Sequence, residues 1–433
     1  MGHQIGDSFF GEKDLAGLRV AVEKAVAETP VFDLHTHLYA PEFSELNLWG
    51  IDELLNYHYL IAEMFRFSAT PPEEFWRMEK AAQADLIWRT LFVENTPLSE
   101  AARGVICVMN ALGLDTRAED LNQAREFFRS FRQSDYIDRV LSISNVTDVV
   151  MTNDPLDETE TKTWLSGEKP DARFHAALRI DRFLNDWDQA VPGIRAQGYD
   201  VRGSLDEKTV GEMRRFVADW IERMNPLYLG VSLPDDFRHP EDSARSELLK
   251  KVVLPACKEN KISLALMIGV RRGVNPALRL AGDGLGRADV GTVARLCSEN
   301  PDVKFLVTFL ARENQHELCV TARKFSNLMP FGCWWFLNNP SIIGEITRER
   351  FELLGTSFIP QHSDARVLDQ LIYKWKHSRA VIADALFEQY AALVSDGRQV
   401  SEAEIGRDAE RLFSGNFRQW AGLDGAKKQI SAT

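Results

Sequence analysis

Eight short apolar runs, rich in β-branched and aromatic residues and separated by stretches of helical periodicity, constrain this 433-residue chain most strongly. They fall at 31–37, 146–151, 174–180, 228–233, 262–270, 304–310, 329–336 and 357–361. Such alternation is the pattern of βα units around a parallel sheet, and eight units suffice to close one. The predicted fold class is α/β, a (β/α)8 TIM barrel. The spacing is uneven. The longest gap carries apolar residues at three- and four-residue intervals over 51–64, and again over 73–93 after Pro71-Pro72. It predicts a helical subdomain inserted after the first strand, over the barrel mouth. The expected division is 1–38 for an N-terminal helix and the first strand, 39–140 for the insertion, 141–366 for the rest of the barrel, and 367–433 for the last barrel helix and extra C-terminal helices. The glycine-rich stretch 271–289 reads as a mobile or site-forming loop.

The first run, Val31-Phe-Asp-Leu-His-Thr-His-Leu38, places Asp33, His35 and His37 at every second position, so that in a regular strand all three face one way. Burying two imidazoles and a carboxylate is costly unless hydrogen bonds or a cation satisfy them, and neutral imidazole nitrogens bind divalent metals directly. Hydrogen-bonded core histidines are the alternative. In a barrel, reactive residues gather at the C-terminal strand ends. Those ends hold His35 and His37, Arg179 and Asp181, Arg271 and Arg272, Arg312-Glu-Asn314, Trp334 and Trp335 with Asn338 and Asn339, and His362-Ser-Asp364-Ala-Arg366. Closing the barrel brings Asp364 beside the first strand, where it completes a three-ligand metal set with His35 and His37. Its alternative role is a helix N-cap. Arg366 reads equally as an ion-pairing surface residue.

Net charge excludes other classes. At -13, the chain has the wrong sign for nucleic acid or an anionic membrane, and an anionic substrate would have to be met by a local cluster of arginines. The five cysteines are scattered and show no Cys-x-x-Cys spacing, as expected of reduced thiols. No cationic stretch leads into an apolar one at the N-terminus, and no run is long enough to span a bilayer, so a cytoplasmic protein is expected.

The ordered motifs Asp33-Leu-His-Thr-His37, Tyr57-His-Tyr59, Ala177-Leu-Arg-Ile-Asp181, Arg312-Glu-Asn-Gln-His-Glu317, Phe331-Gly-Cys-Trp-Trp335 and His362-Ser-Asp-Ala-Arg366 span almost the whole chain. Together they resemble uronate isomerases of the amidohydrolase superfamily, in particular the short bacillus-type branch. The resemblance implies an aldose–ketose isomerase that interconverts D-glucuronate with D-fructuronate and D-galacturonate with D-tagaturonate through a cis-enediol. It implies one divalent metal, Zn²⁺ first among the candidates, on His35, His37 and Asp364. Asp364 would also act as base, Tyr59 would assist proton transfer, and Arg179 and Arg366 would engage the carboxylate and nearby hydroxyls. His58 is carried over as substrate-binding on the Tyr-His-Tyr match, against the alternative of a packed helix residue. Trp335 is preferred over Trp334 as the ring facing the sugar. Arg312 is a further anion-binding candidate, with an ion pair to Glu313 or Glu317 as the alternative. His316 lies in a helical run and reads as a supporting or capping residue.

Two rival classes share the metal set or the barrel. A metal-dependent hydrolase or lactonase would need further ligands after strands four to six, where the chain has Ser232-Leu-Pro-Asp235, Gly269-Val-Arg-Arg272 and Ala311-Arg-Glu-Asn314. A non-catalytic uronate-binding protein would need no proton shuttle. The partner expected is a small-molecule uronate, with homo-oligomerisation left open.

Overall fold

The computed structural model describes residues 9–423. Seven parallel strands follow one another around a curled sheet: β1 (Val31–Thr36), β2 (Val146–Asn153), β3 (Phe174–Arg179), β4 (Tyr228–Pro234), β5 (Ser263–Arg271), β6 (Phe305–Phe309) and β7 (Leu328–Pro330). The eighth run forms no regular strand. It is held by one parallel bridge, Phe331 to Ile359, and then meets β1 through Asp364 N–H to the His35 carbonyl (3.1 Å) and His37 N–H to the Ala365 carbonyl (2.7 Å). These contacts bring the two ends of the sheet together. The seventh run is much shorter than its sequence suggests, because the chain leaves the sheet at Gly332 (φ 64°) and enters a 3-10 turn at Trp335–Leu337. Aromatic residues at 334–336 mimic a strand in composition while serving as a wall.

Buried on both faces, the strands read as nearly unbroken apolar runs. The pleat sorts them. Phe32, Leu34, Val150, Ala177, Tyr228, Ala265, Met267 and Leu306 fill the barrel interior, while Val31, Val149, Leu178, Val231, Leu266 and Val307 pack outward. Phe417, from the short helix Asn416–Trp420, plugs the N-terminal end, its ring 5.1 Å from Phe32 and 6.5 Å from Tyr228. The strand C-terminal end is thereby left as the open face.

The helical gap forms as expected but in broken pieces. Residues 51–64 split at Asn56-Tyr57 into Ile51–Leu55 and α1 (His58–Met64), so His58 begins a helix and lies at the mouth. Residues 73–93 divide into Pro72–Phe75, Lys80–Trp88 and a π-turn at Arg89–Val93. The later helices α2 (Glu100–Leu112) and α3 (Gln133–Ser144) pack instead on α4 (Gln370–Ser395), a 26-residue helix outside the barrel. Two-residue strands Phe9–Phe10 and Val400–Ser401 pair antiparallel and tie the beginning of the described chain to its C-terminal part. Among the described residues no helix is long and apolar enough to cross a membrane.

Candidate active site

β1 does not present Asp33, His35 and His37 on one face. Its pairing with β2 shifts register between Asp33 and Thr36, and the irregularity turns His35 to the interior while Asp33 stays on the outer side. There the Asp33 carboxylate accepts from Ser363 N (3.0 Å) and from Trp375 Nε1 of α4 (2.9 Å), and burial pushes its pKa up to about 6. Asp33 is therefore a strut joining β1, the closing segment and α4. The alternation argument is corrected by the bulge, yet the histidines converge.

Asp364 completes the cluster. Its Oδ1 lies 3.3 Å from His37 Nε2 and 3.6 Å from His35 Nε2. Donors about 2.0–2.1 Å from a tetrahedral ion stand about 3.3 Å apart, so these separations fit a small divalent cation. His35 Nε2 and Asp364 Oδ1 are buried and have no hydrogen-bond partner, which is the pattern left by groups built to meet a metal. Burial, with opposing help from Asp364, holds His37 at about 4 and His35 well below its ordinary value, so both rings are neutral near pH 7. Burial raises Asp364, but His37 and His35 in the protonated forms they reach at low pH, and Lys374, outweigh it and hold the carboxylate well below its usual range.

The tautomers follow from hydroxyl bookkeeping. Tyr228 Oη has one proton and gives it to the Leu34 carbonyl (2.9 Å), so its 2.9 Å contact with His35 Nδ1 must be an acceptance from Nδ1–H. Thr152 Oγ1 likewise donates to the Thr36 carbonyl (3.0 Å) and accepts from His37 Nδ1–H at 2.9 Å. Each ring thus carries its proton on Nδ1 and turns a bare Nε2 lone pair toward Asp364.

A cavity of about 40 Å³ opens beside this cluster, lined by His37, Tyr57, His58, Arg179, Ser232, Arg272, Leu280, Trp334, Trp335, Asp364 and Arg366. It adjoins a chamber of about 260 Å³ that shares Tyr57, His58, Leu280 and Arg366. The loop 271–289 is accordingly site-forming, since Arg272 and Leu280 come from it. A larger cleft of about 510 Å³ lies outside the barrel between α4 and the N-terminal helix Leu15–Glu28, remote from the imidazoles.

Of the residues singled out from sequence, His37, His58, Arg179, Trp335, Asp364 and Arg366 line the cavity and His35 lies behind it. Arg179 pairs with Asp181 (3.1 Å), which sustains its charge against burial, whereas Arg366 has no carboxylate within 4 Å among the described residues. His58 is lowered to about 3 by burial and then by Arg366, so it is neutral. Tyr59 is not among the lining residues. Its hydroxyl is buried without a partner between His58 and Phe336, and burial raises it far above its ordinary value, so it is a phenol rather than a phenolate.

Three expectations are corrected. Arg312 is exposed and paired with Glu345 (2.7 Å), outside the cavity, because it sits in the turn leading to the helix Gln315–Ala322 that packs against Pro340–Leu354. His316 is exposed on that same helix and supports nothing at the site. Both Trp334 and Trp335 line the cavity, since strand alternation has ended and Trp335 takes φ 48°. Tyr57, Ser232, Arg272 and Trp334 are cavity residues that sequence reasoning did not select. Tyr57 stood within the Tyr-His-Tyr motif, and Ser232 and Arg272 stood at strand ends, so position was a usable signal.

A parallel barrel with two strand-one histidines and a closing-segment aspartate gathered at its C-terminal mouth defines a barrel enzyme with a candidate metal site. No family model matches the chain, and no curated protein sequence does. Among solved structures, a uronate isomerase from Bacillus halodurans C-125 is 51% identical, with a TM-score of 0.93 over 96% of this chain and 99% of that one. A uronate isomerase from Thermotoga maritima (16% identity, TM-score 0.75, 95% of this chain and 99% of that one) and a glucuronate isomerase from Caulobacter crescentus (16%, 0.75, 96% of each) share the fold. This chain belongs to the uronate isomerase family.

Proposed function

We propose that this chain is an aldose–ketose isomerase of hexuronates, converting D-glucuronate to D-fructuronate and D-galacturonate to D-tagaturonate. The observation that carries the reading is the buried, unpartnered Asp364 Oδ1 set between two neutral imidazoles and opening on an arginine-lined cavity, in a chain 51% identical to a uronate isomerase. Cavity chemistry matches the substrate class. Arg366, with no carboxylate within 4 Å among the described residues, together with Arg179 and Arg272, each paired with an aspartate (Asp181 and Asp283), brings guanidinium donors to the mouth of a chain of net charge -13, which is what a monoanionic sugar acid requires.

In this reading Arg366, lacking an acidic partner, takes the substrate carboxylate through its forked donors, and Arg179, steadied by Asp181, holds adjacent hydroxyls. Trp335 offers the sugar an apolar face. Asp364 accepts the C2 proton and returns it at C1, and the Tyr59 phenol, unpartnered beside His58 but outside the cavity lining, would have to turn toward the cavity to donate to the oxygen on which charge develops. His58, neutral, orients a hydroxyl. A divalent ion on His35, His37 and Asp364, Zn²⁺ being the best match to two imidazoles and a carboxylate, would polarise the substrate oxygen. Residues 39–140 act as the insertion that delivers His58 to the mouth, with Tyr59 packed beside it, and the 260 Å³ chamber is the approach.

The test is to incubate metal-loaded protein with D-glucuronate in D₂O and follow C1 and C2 by NMR. Deuterium incorporation coupled to ketose formation is expected. A ketose-free, exchange-free result with both uronates refutes the reading.

A further inference from the structure

Asp364 reaches the two imidazoles from a left-handed backbone (φ 51°), a conformation that costs a non-glycine residue about 1 kcal/mol or more unless its surroundings enforce it. The enforcing contacts converge on the carbonyls of Ser363 and Asp364. Lys374 Nζ, from α4, donates to Ser363 O (2.6 Å) and Asp364 O (3.3 Å), and Asn338 Nδ2 also donates to Ser363 O (3.2 Å). Lys374 is 4% exposed and has no carboxylate within 4 Å among the described residues, so its charge is buried with backbone carbonyls for company. A lysine with no acidic partner is a costly way to bind two carbonyls if packing alone is at stake. Its ammonium also stands 5.6 Å from the ring of Tyr57, which lines the cavity.

We propose that Lys374 is a positioning residue whose ammonium, by gripping the 363–364 carbonyls, aims the Asp364 carboxylate at the metal position and so sets metal affinity. The inference rests on the metal set of the proposed function. Its chemistry is that of an outer support for a ligand: the side chain touches neither ion nor sugar, and its removal frees the turn to relax and swing Oδ1 away from the Nε2 atoms.

The experiment compares wild type, Lys374→Met and Lys374→Gln as full-length apo proteins titrated with Co²⁺, reading the visible absorption band and the dissociation constant by chelator competition, with thermal melts alongside. Lys374→Met is expected to bind Co²⁺ about 10- to 100-fold more weakly with an altered band. Lys374→Gln, which keeps a shorter neutral donor, should fall between the two. A lower melting temperature with wild-type affinity and band marks a merely structural role and overturns the inference. Should Lys374→Met not fold, Lys374→Gln decides: weaker binding supports the inference and equal binding overturns it. Failure of the wild type to bind overturns the metal reading itself, whereas equal binding by wild type and Lys374→Met overturns this inference alone.

Discussion

The tautomer argument makes Tyr228→Phe the most informative perturbation at the site. The change removes one oxygen and leaves the ring, whose position in the barrel interior is set by Phe417 and the inner strand residues. Two buried groups lose their partner at once, the Leu34 carbonyl and His35 Nδ1–H, both held at 2.9 Å in the intact protein. An orphaned buried polar group costs about 1–3 kcal/mol, so the variant should be destabilised by about 3 kcal/mol, in part recovered as His35 flips its proton to Nε2. That recovery is the diagnostic step, because a proton on Nε2 blocks the lone pair aimed at Asp364. Metal affinity should then fall by about 10- to 100-fold, equivalent to about 1.4–2.8 kcal/mol. Chelator competition with Zn²⁺ measures it, and Thr152→Val provides the parallel case at His37. Wild-type affinity in a folded Tyr228→Phe protein would show that the hydroxyl does not set the tautomer.

Replacing Asp364 by Asn should retain the fold and reduce kcat by at least about 100-fold, the scale of a lost general base; steady-state kinetics with glucuronate reads it directly, and near-normal turnover removes Asp364 from the chemistry. Arg366→Met should raise KM for uronates by about 10- to 100-fold, as a charge-assisted hydrogen bond is lost, while Arg179→Lys raises it less; the ranking reverses if the carboxylate sits against Arg179. Glu160 gives a pH prediction. It is buried in the first turn of the helix Glu158–Ser166 that follows β2, accepts from Tyr39, Asn153 and Asp154, and is pushed by burial from 4.5 up to about 7. The folded state therefore holds this proton more tightly than the unfolded state, and the associated stability, complete below about pH 4.5, is lost as pH rises through 7. Glu160→Gln should flatten that dependence and leave the variant more stable than wild type at about pH 8 by about 3 kcal/mol, read by urea unfolding at several pH values. An unchanged pH profile would mean that Glu160 is ionised in the folded protein throughout.

Sequence alone determined the barrel class, most of its strands and which residues form the candidate metal cluster, because apolar periodicity is written locally and strand ends can be read from it. His35, His37 and Asp364 were legible as residue types that have no reason to end buried apolar runs. Tertiary structure decided how they meet. A register shift in β1, not strand alternation, separates Asp33 from the histidines, and it arises from pairing with β2, over a hundred residues away. Comparable distances hide the hydroxyls of Tyr228 and Thr152, and the ammonium of Lys374, only ten residues from Asp364, takes its role once helix α4 folds back on the closing segment. Arg312 and Arg272 make the contrast sharp: both follow a strand, and only the path each loop takes puts one outside the cavity and the other over Trp335. Chemistry at a site is a matter of side chains converging across the fold, and convergence is a property of packing rather than of any local stretch of chain.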